Sequence, residues 1–166
     1  MSDGFQLAEL NVAQPLAPVD SPQLADFSAQ LDSVNTAAEA AEGFVWRLQD
    51  EEGNATSFRA FDSETMLINL SVWESIEALR AFVYGTVAEG LHKGVMRRRA
   101  EWFERAAEEH LVLWWVSAGE WPDLYEAERR LLLLRERGPT PEAFTFRQSF
   151  AAPWAEVQQP GRAAGG

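Results

Sequence analysis

The stretch TMLINLSV, Thr65–Val72, decides the fold, because its side chains alternate between two different faces. One face is wholly apolar, and the other mixes leucine with an amide and a hydroxyl. The first face holds Met66, Ile68, Leu70 and Val72, and the second holds Leu67, Asn69 and Ser71. A period of two over this length predicts a β-strand. The overlapping segment Ser71–Glu74 matches a capping box, which predicts that a helix begins at the end of the strand.

Upstream of this strand, the sequence predicts another strand, a helix and a short β-segment. Phe5–Ala13 has the same period of two and predicts a strand. Ser21 followed by Pro22 favours a helix start, because serine caps helices and proline suits the first turn. Apolar residues then recur three and four apart until Gly43, at Leu24, Phe27, Leu31, Val34 and Ala38. Phe44–Gln49 predicts a short strand.

Downstream, the sequence predicts three helices and two strands. The first helix follows the capping box, and a second helical stretch runs to Phe103. Leu111–Ser117 is apolar and predicts a buried strand. Asp123–Glu126 is a second capping pattern, and Gly138 is a suitable end for the helix that it starts. A last strand is predicted over Ala143–Phe150.

The predicted order, β-α-β-β-α-α-β-α-β, reduces to the β-α-β-β-α-β unit of ferredoxin-like α+β domains once the extra helices are removed. We therefore predict one α+β domain over residues 5–150. Residues 151–166 form a tail whose end is expected to be disordered, because it is polar and rich in glycine. Helices cover one face of such a sheet, and the strands are apolar on both sides. Large exposed apolar faces are rare on soluble monomers, so the sequence predicts a homodimer that closes two sheets face to face, a dimeric α+β barrel.

Charge and composition exclude several classes of function. The 166 residues carry 14 Lys and Arg against 26 Asp and Glu, and the formal charge of −12 disfavours binding to nucleic acid or anionic membrane. The chain has no cysteine, which excludes disulfides and thiolate metal sites. It has neither an apolar run of about 20 residues nor the start of a secretory signal, so we expect a cytoplasmic protein. P-loop, GxGxxG, nucleophile-elbow and HExxH motifs are absent.

Polar residues inside apolar strands are the first candidates for chemistry. Asn11 and Asn69 each interrupt a predicted strand, and a buried amide without partners costs about 1–3 kcal/mol. We expect them to meet a ligand or waters or, alternatively, to hold a loop or the partner subunit. Glu9 shares a face with Asn11, and Ser71 shares one with Asn69. A carboxyl group there could act as a general base, or it could face solvent or pair with an arginine.

Tryptophan and phenylalanine are unusually frequent, with seven and ten copies. Trp114 and Trp115 are consecutive on a predicted strand, so they point to opposite faces. One packs under helices, and the other faces a cavity or the partner subunit. An aromatic wall suits a flat apolar ligand, whereas packing in the core or at the interface is the alternative. On the strands, the predicted ligand-binding residues are Trp46, Arg47, Ser71 and Trp115.

Several stretches together resemble a bacterial family of domains of unknown function. They are Gly43–Leu48, Asn69–Ser75 with Leu79–Tyr84, His92 with Met96–Arg99 and Glu101–Phe103, Leu113–Val116, and Gly138–Phe146. The resemblance covers Leu7 to Phe150. That family is placed with the dimeric α+β barrels, alongside antibiotic-biosynthesis monooxygenases, so the resemblance implies this fold and oxidoreductase chemistry. The chain departs from the pattern at Val87–Leu91, a short insertion, and at Glu120–Asp123, where relatives often carry a histidine.

The resemblance makes His92 the sharpest single candidate, because haem-binding members of the superfamily supply an axial histidine from a helix in a comparable place. Met96 and Phe103 would then form a wall against the haem, and Arg97–Arg99 would meet its propionates. Alternatively, His92 is a catalytic group without haem or a hydrogen-bonded structural residue. His110 is expected to be structural.

The leading expectation is a small-molecule enzyme of the monooxygenase-like type that acts on an apolar, aromatic metabolite. In a cofactor-free version, Asn11, Asn69, Arg47 and Trp115 position and polarise an ionisable substrate that itself activates oxygen. In a haem version, His92 is the axial ligand. The remaining alternative is a non-catalytic, ligand-binding dimeric protein.

Overall fold

A four-stranded antiparallel sheet organises the chain, whose computed structural model describes residues 4–49, 61, 63, 65–85 and 97–153. The described elements are β1 (Phe5–Ala13), α1 (Ala25–Glu39), β2 (Phe44–Arg47), β3 (Leu67–Trp73), α2 (Ile76–Tyr84), α3 (helical at 97–102), β4 (Leu111–Ser117) and α4 (Leu124–Arg137). The strands lie in the order β2-β3-β1-β4. The predicted α+β class is confirmed. Among the described helices, none has the length and apolar character needed to cross a membrane.

The register of the strands gives the sheet two chemically different faces. Glu9 lies opposite Ser71, and Asn11 lies opposite Asn69, so these four side chains share one side of β1 and β3. We call this side the mixed face. Leu10 and its neighbours on the other side of the sheet form the apolar face.

Helix α4 covers the apolar face with Ala127, Leu131 and Leu134. The strand residues beneath it are each at most 6% exposed: Ala8, Leu10, Val12, Ile68, Leu70, Val72, Val112 and Trp114. The sequence could not tell on which side of the sheet α4 packs. The expectation of an open sheet face is therefore corrected, because helices of the same chain lie over both sides of the sheet, α4 over the apolar face and α1 and α2 over the mixed face. The homodimer itself stays a prediction.

The adjacent tryptophans of β4 point to opposite faces, as predicted. Trp114 is fully buried on the apolar face. Trp115 is half-buried on the mixed face, where its Nε1 donates to the carbonyl oxygen of Phe150 at 2.8 Å.

The start of α2 differs from the predicted capping box. Ser75 is the N-cap, and its Oγ accepts a hydrogen bond from the backbone N–H of Ala78 at 3.1 Å. Ser71 lies inside β3 instead, where its hydroxyl has a partner across the sheet. The second predicted cap is confirmed, because Asp123 accepts from the backbone N–H of Glu126 at 2.8 Å and begins α4.

The predicted last strand, Ala143–Phe150, is wrong. This segment meets the sheet at a single bridge, in which Leu113 and Phe144 exchange two backbone hydrogen bonds of 2.8 Å. Thr140 bridges back to Ala143 on one side, and the chain turns between Thr145 and Gln148 on the other. These turns leave no room for a ladder. The predicted disordered end of the tail lies outside the described residues.

Candidate functional site

A cavity of about 410 Å³ lies between the mixed face and helices α1 and α2. The side of α1 towards the cavity carries Phe27, Leu31, Val34 and Ala38, and none of the residues of α1 is fully buried. The helix therefore stands off the sheet rather than packing tightly against it. The volume falls within the range of about 300–1,000 Å³ that is typical of small-molecule pockets.

The wall of the cavity is mostly apolar, with a limited set of polar groups. Its aromatic members are Phe27, Phe44, Trp73, Phe82, Phe103 and Phe146. Its polar members are Glu9, Asn11, Asn35, Arg47, Asn69, Ser71, Tyr84, Arg99 and His110. This combination suits a small, flat molecule with one or two polar ends.

A buried carboxyl group lies in the part of the wall that the sheet provides. Glu9 is 5% exposed, near the middle of β1. Asn11 donates from Nδ2 to Oε1 of Glu9 at 2.5 Å, and Ser71 donates from Oγ to Oε2 at 2.9 Å. Trp73 in turn donates from Nε1 to the Ser71 hydroxyl at 3.0 Å. These three donors fix the orientation of the carboxyl group.

Burial raises the pKa of Glu9, and the hydrogen bonds from Asn11 and Ser71 lower it only in part. Both donors are neutral, and no lysine or arginine among the described residues forms an ion pair with this carboxylate. A carboxyl group with a raised pKa can release and accept a proton at mild pH, which is the property of a general acid or base.

The end of the cavity next to α3 carries positive charge. Arg99 lies over the ring of Phe103, with its Cζ 5.8 Å from the ring centroid. His110 also lines this end, where burial and then the charge of Arg99 lower the pKa of its imidazole. The imidazole is therefore neutral at neutral pH, and the positive charge here belongs to Arg99.

At the edge of the sheet, Arg47 on β2 forms an ion pair with Glu39 at the end of α1. Its Nε lies 2.7 Å from the Oε1 of Glu39. The pair holds the last turn of α1 to β2 and closes this side of the cavity.

The structure brings most of the predicted site residues together. Asn11, Arg47, Asn69, Ser71, Arg99 and Phe103 all line the cavity. Asn11 and Ser71 contact the Glu9 carboxyl group, whereas Asn69 is exposed and lies at the cavity mouth. Their catalytic and ligand-binding roles stay predictions.

Two predicted ligand-binding residues lie away from the cavity wall, and two further predicted site residues lie outside the described part of the chain. Trp46 is turned to the apolar-face side of β2 and stacks on Trp121, with ring centroids 5.4 Å apart. Trp115 is absent from the cavity wall and packs near Phe144 instead. His92 and Met96 lie outside the described residues.

The sequence did not single out the α1 side of the cavity. The apolar residues that recur three and four apart predict one apolar helical face, and nothing local shows that a cavity separates this face from the sheet. The one sign of a cavity in this part of the sequence is Asn35, a polar residue next to Val34 on the same side of the helix.

Among the described residues, no three His, Asp or Glu side chains converge as a protein metal site would require.

Comparisons with known proteins assign a family but no activity. The comparison with curated proteins gives no match. Among solved structures, the chain is similar to NE2512, a protein of unknown function from Nitrosomonas europaea, with 15% identity and a TM-score of 0.43 over 72% of this chain and 96% of that one. A family model described as a domain of unknown function, DUF3291, matches residues 6–160. Because this match spans nearly the whole chain, the protein belongs to the DUF3291 family.

Proposed function

We propose that the protein is a small-molecule enzyme of the monooxygenase-like type, which binds an apolar, aromatic metabolite in the cavity and exchanges a proton with it through Glu9. The observation that carries the proposal is the Glu9 carboxyl group, which is buried and lines an aromatic cavity. Buried carboxylates with a structural role are usually paired with a cation, because an unpaired buried charge is costly. The hydrogen-bond donors to Glu9 are neutral.

The strand order supports a finer fold assignment, a ferredoxin-like domain related to the dimeric α+β barrels. Counted from the other edge, the order is β4-β1-β3-β2. The units β1-α1-β2 and β3-α2-β4 each leave a gap that a strand of the other unit fills, as in the split β-α-β arrangement. Helices α3 and α4 are additions to it. A fold hosts many activities, so the function rests on the site.

We propose a homodimer through a surface other than the sheet. Trp121, which lies just before α4, and Tyr125, in its first turn, are 58% and 77% exposed, which is unusual for large aromatic side chains. We expect light scattering at micromolar concentration to give the mass of two chains. The mass of one chain across that range would contradict the homodimer.

In the cofactor-free version, ionised Glu9 accepts a proton from a phenol, an enol or an activated methylene of the substrate. The substrate anion then reacts with dioxygen. When a methylene becomes a ketone, one oxygen atom enters the substrate, the other leaves as water, and the substrate supplies all four electrons. Asn11 orients Glu9, and the aromatic wall holds the substrate and excludes water.

Haem is the alternative cofactor, and its predicted axial ligand, His92, lies outside the described residues. Among the described residues of the cavity wall, His110 has an imidazole that could bind the haem iron, and Arg99 could pair with a haem propionate. If bound, haem would supply iron redox chemistry beside the aromatic wall. A Soret band in protein purified with adequate iron would identify it, and a colourless, active protein would support the cofactor-free version.

The proposal predicts that 2-naphthol binds in the cavity and is consumed together with dioxygen. Binding is measured by calorimetry, and turnover is measured with an oxygen electrode. 2-Methoxynaphthalene is the matched control, because it fills the same volume but has no acidic proton. It should bind without oxygen uptake. Binding of both compounds without any uptake would favour a non-catalytic ligand-binding protein, and binding of neither would contradict the proposal for this class of molecule.

A further inference from the structure

One cavity arginine differs from the other half-buried arginines. Arg47, Arg98, Arg130 and Arg135 each form an ion pair with a carboxylate. Arg99 is also half-buried, yet among the described residues it has no carboxylate partner, and its contact is the ring of Phe103. In a chain with a formal charge of −12, carboxylates are plentiful. Its position in the wall, away from them, therefore suggests that an anion comes from outside the chain.

Arg99 lies towards the Ala13 end of the cavity, whereas Glu9 is near the middle of β1. Phe103, one turn after Arg99, packs in one cluster with Ala13 and bridges to Pro15, just past the end of β1. Ala13 lies four residues after Glu9 along the strand, which corresponds to about 13 Å. A ligand anion at the Ala13 end of the cavity would therefore meet less repulsion from the Glu9 carboxyl group than an anion directly beside it.

The chemistry of this end fits a carboxylate. A guanidinium group binds a carboxylate through two parallel hydrogen bonds, and the rings of Phe27 and Phe103 beside it are 4.9 Å apart at their centroids. The imidazole of His110 lies in the same wall and can donate one more hydrogen bond. A single arginine at this end of the cavity suits a singly charged anion better than a polyphosphate.

We propose that the cavity selects an aromatic carboxylic acid, with the carboxylate bound by Arg99 and the ring system extending along the aromatic wall towards Glu9. This inference rests on the proposed function, because it names the substrate class of the same cavity. It predicts a preference for an acid over a neutral molecule of the same shape.

The test compares 2-naphthoate with 2-naphthylmethanol by calorimetry, in the wild type and in two variants. We expect the wild type to bind the acid about tenfold more tightly or better, because hydrogen bonds between charged groups are strong. Arg99→Met removes the charge and keeps the unbranched stem over Phe103, so it should abolish the preference. Arg105→Met makes the same change of charge at an exposed position and should keep the preference.

Each outcome decides between the two proposals. Equal binding of the acid and the alcohol by the wild type overturns the carboxylate preference but leaves the cavity proposal standing. An equal loss of preference in both variants also overturns it, because the effect is then one of general charge. Binding of neither compound contradicts the proposed cavity function itself. If Arg99→Met does not fold, as judged by circular dichroism, the comparison of acid and alcohol in the wild type still decides.

Discussion

Replacing Glu9 by glutamine should lower turnover of 2-naphthol by about 10²–10⁴-fold, the usual loss when a general acid or base is removed. Glutamine keeps the size of the side chain and can still accept from Asn11 and bond to Ser71. Binding of 2-naphthol should therefore change little. Glu120→Gln, the same substitution at an exposed glutamate, is the control and should leave both quantities unchanged. Wild-type turnover by Glu9→Gln would show that this carboxyl group takes no part in the reaction.

The same variant should change how stability depends on pH. Because the pKa of Glu9 is raised in the folded state, the folded chain binds more protons than the unfolded chain between the ordinary and the raised value. The contribution of Glu9 to the free energy of unfolding is thus fully present below its ordinary pKa and is lost as the pH rises through the folded value. Glutamine does not titrate, so Glu9→Gln should gain stability relative to the wild type as the pH rises. Urea unfolding at constant ionic strength measures the difference, and parallel pH curves would contradict it.

Filling the cavity from α1 should abolish binding while the protein stays folded. Val34 lines the cavity, and a tryptophan there would occupy the space that 2-naphthol needs. We expect Val34→Trp to weaken binding by roughly a hundredfold or more, about 2.7 kcal/mol. The melting temperature should stay close to that of the wild type, because the new ring enters space that is already open rather than a packed core.

Ser33→Trp is the matched control for this prediction, since Ser33 is the preceding residue of the same helix and is exposed. It should bind 2-naphthol as the wild type does. If Val34→Trp binds the compound normally, or if both variants lose binding equally, the ligand does not lie between α1 and the sheet.

Elements with a strong local pattern could be predicted from the sequence. The alternation of Phe5–Ala13 and the apolar run Leu111–Ser117 correspond to β1 and β4, with the same bounds. Helix α4 lies between Asp123, whose side chain caps it, and Gly138, whose φ of 73° is unfavourable for other residues. In each case the deciding interactions lie within a few residues of one another.

The predictions were wrong where a contact with a residue distant in the sequence decides the local structure. Ser71 matched a capping box, but its hydroxyl bonds to Glu9, 62 residues away. The apolar segment around Phe144 looked like a strand, yet it forms one bridge to Leu113 between two turns. For the same reason, the sequence could not tell whether Glu9 faced solvent, an arginine or a cavity, because strand pairing and the position of α1 decide this.

The most direct test of the account is a titration of the Glu9 carboxyl carbon by NMR in ¹³C-labelled protein, with and without 2-naphthol. We expect a midpoint above the ordinary glutamate value of 4.5 and a further change of that midpoint when the compound fills the cavity. A carboxyl group that titrates at its ordinary value and does not respond to the ligand would contradict both its burial and its place in the site.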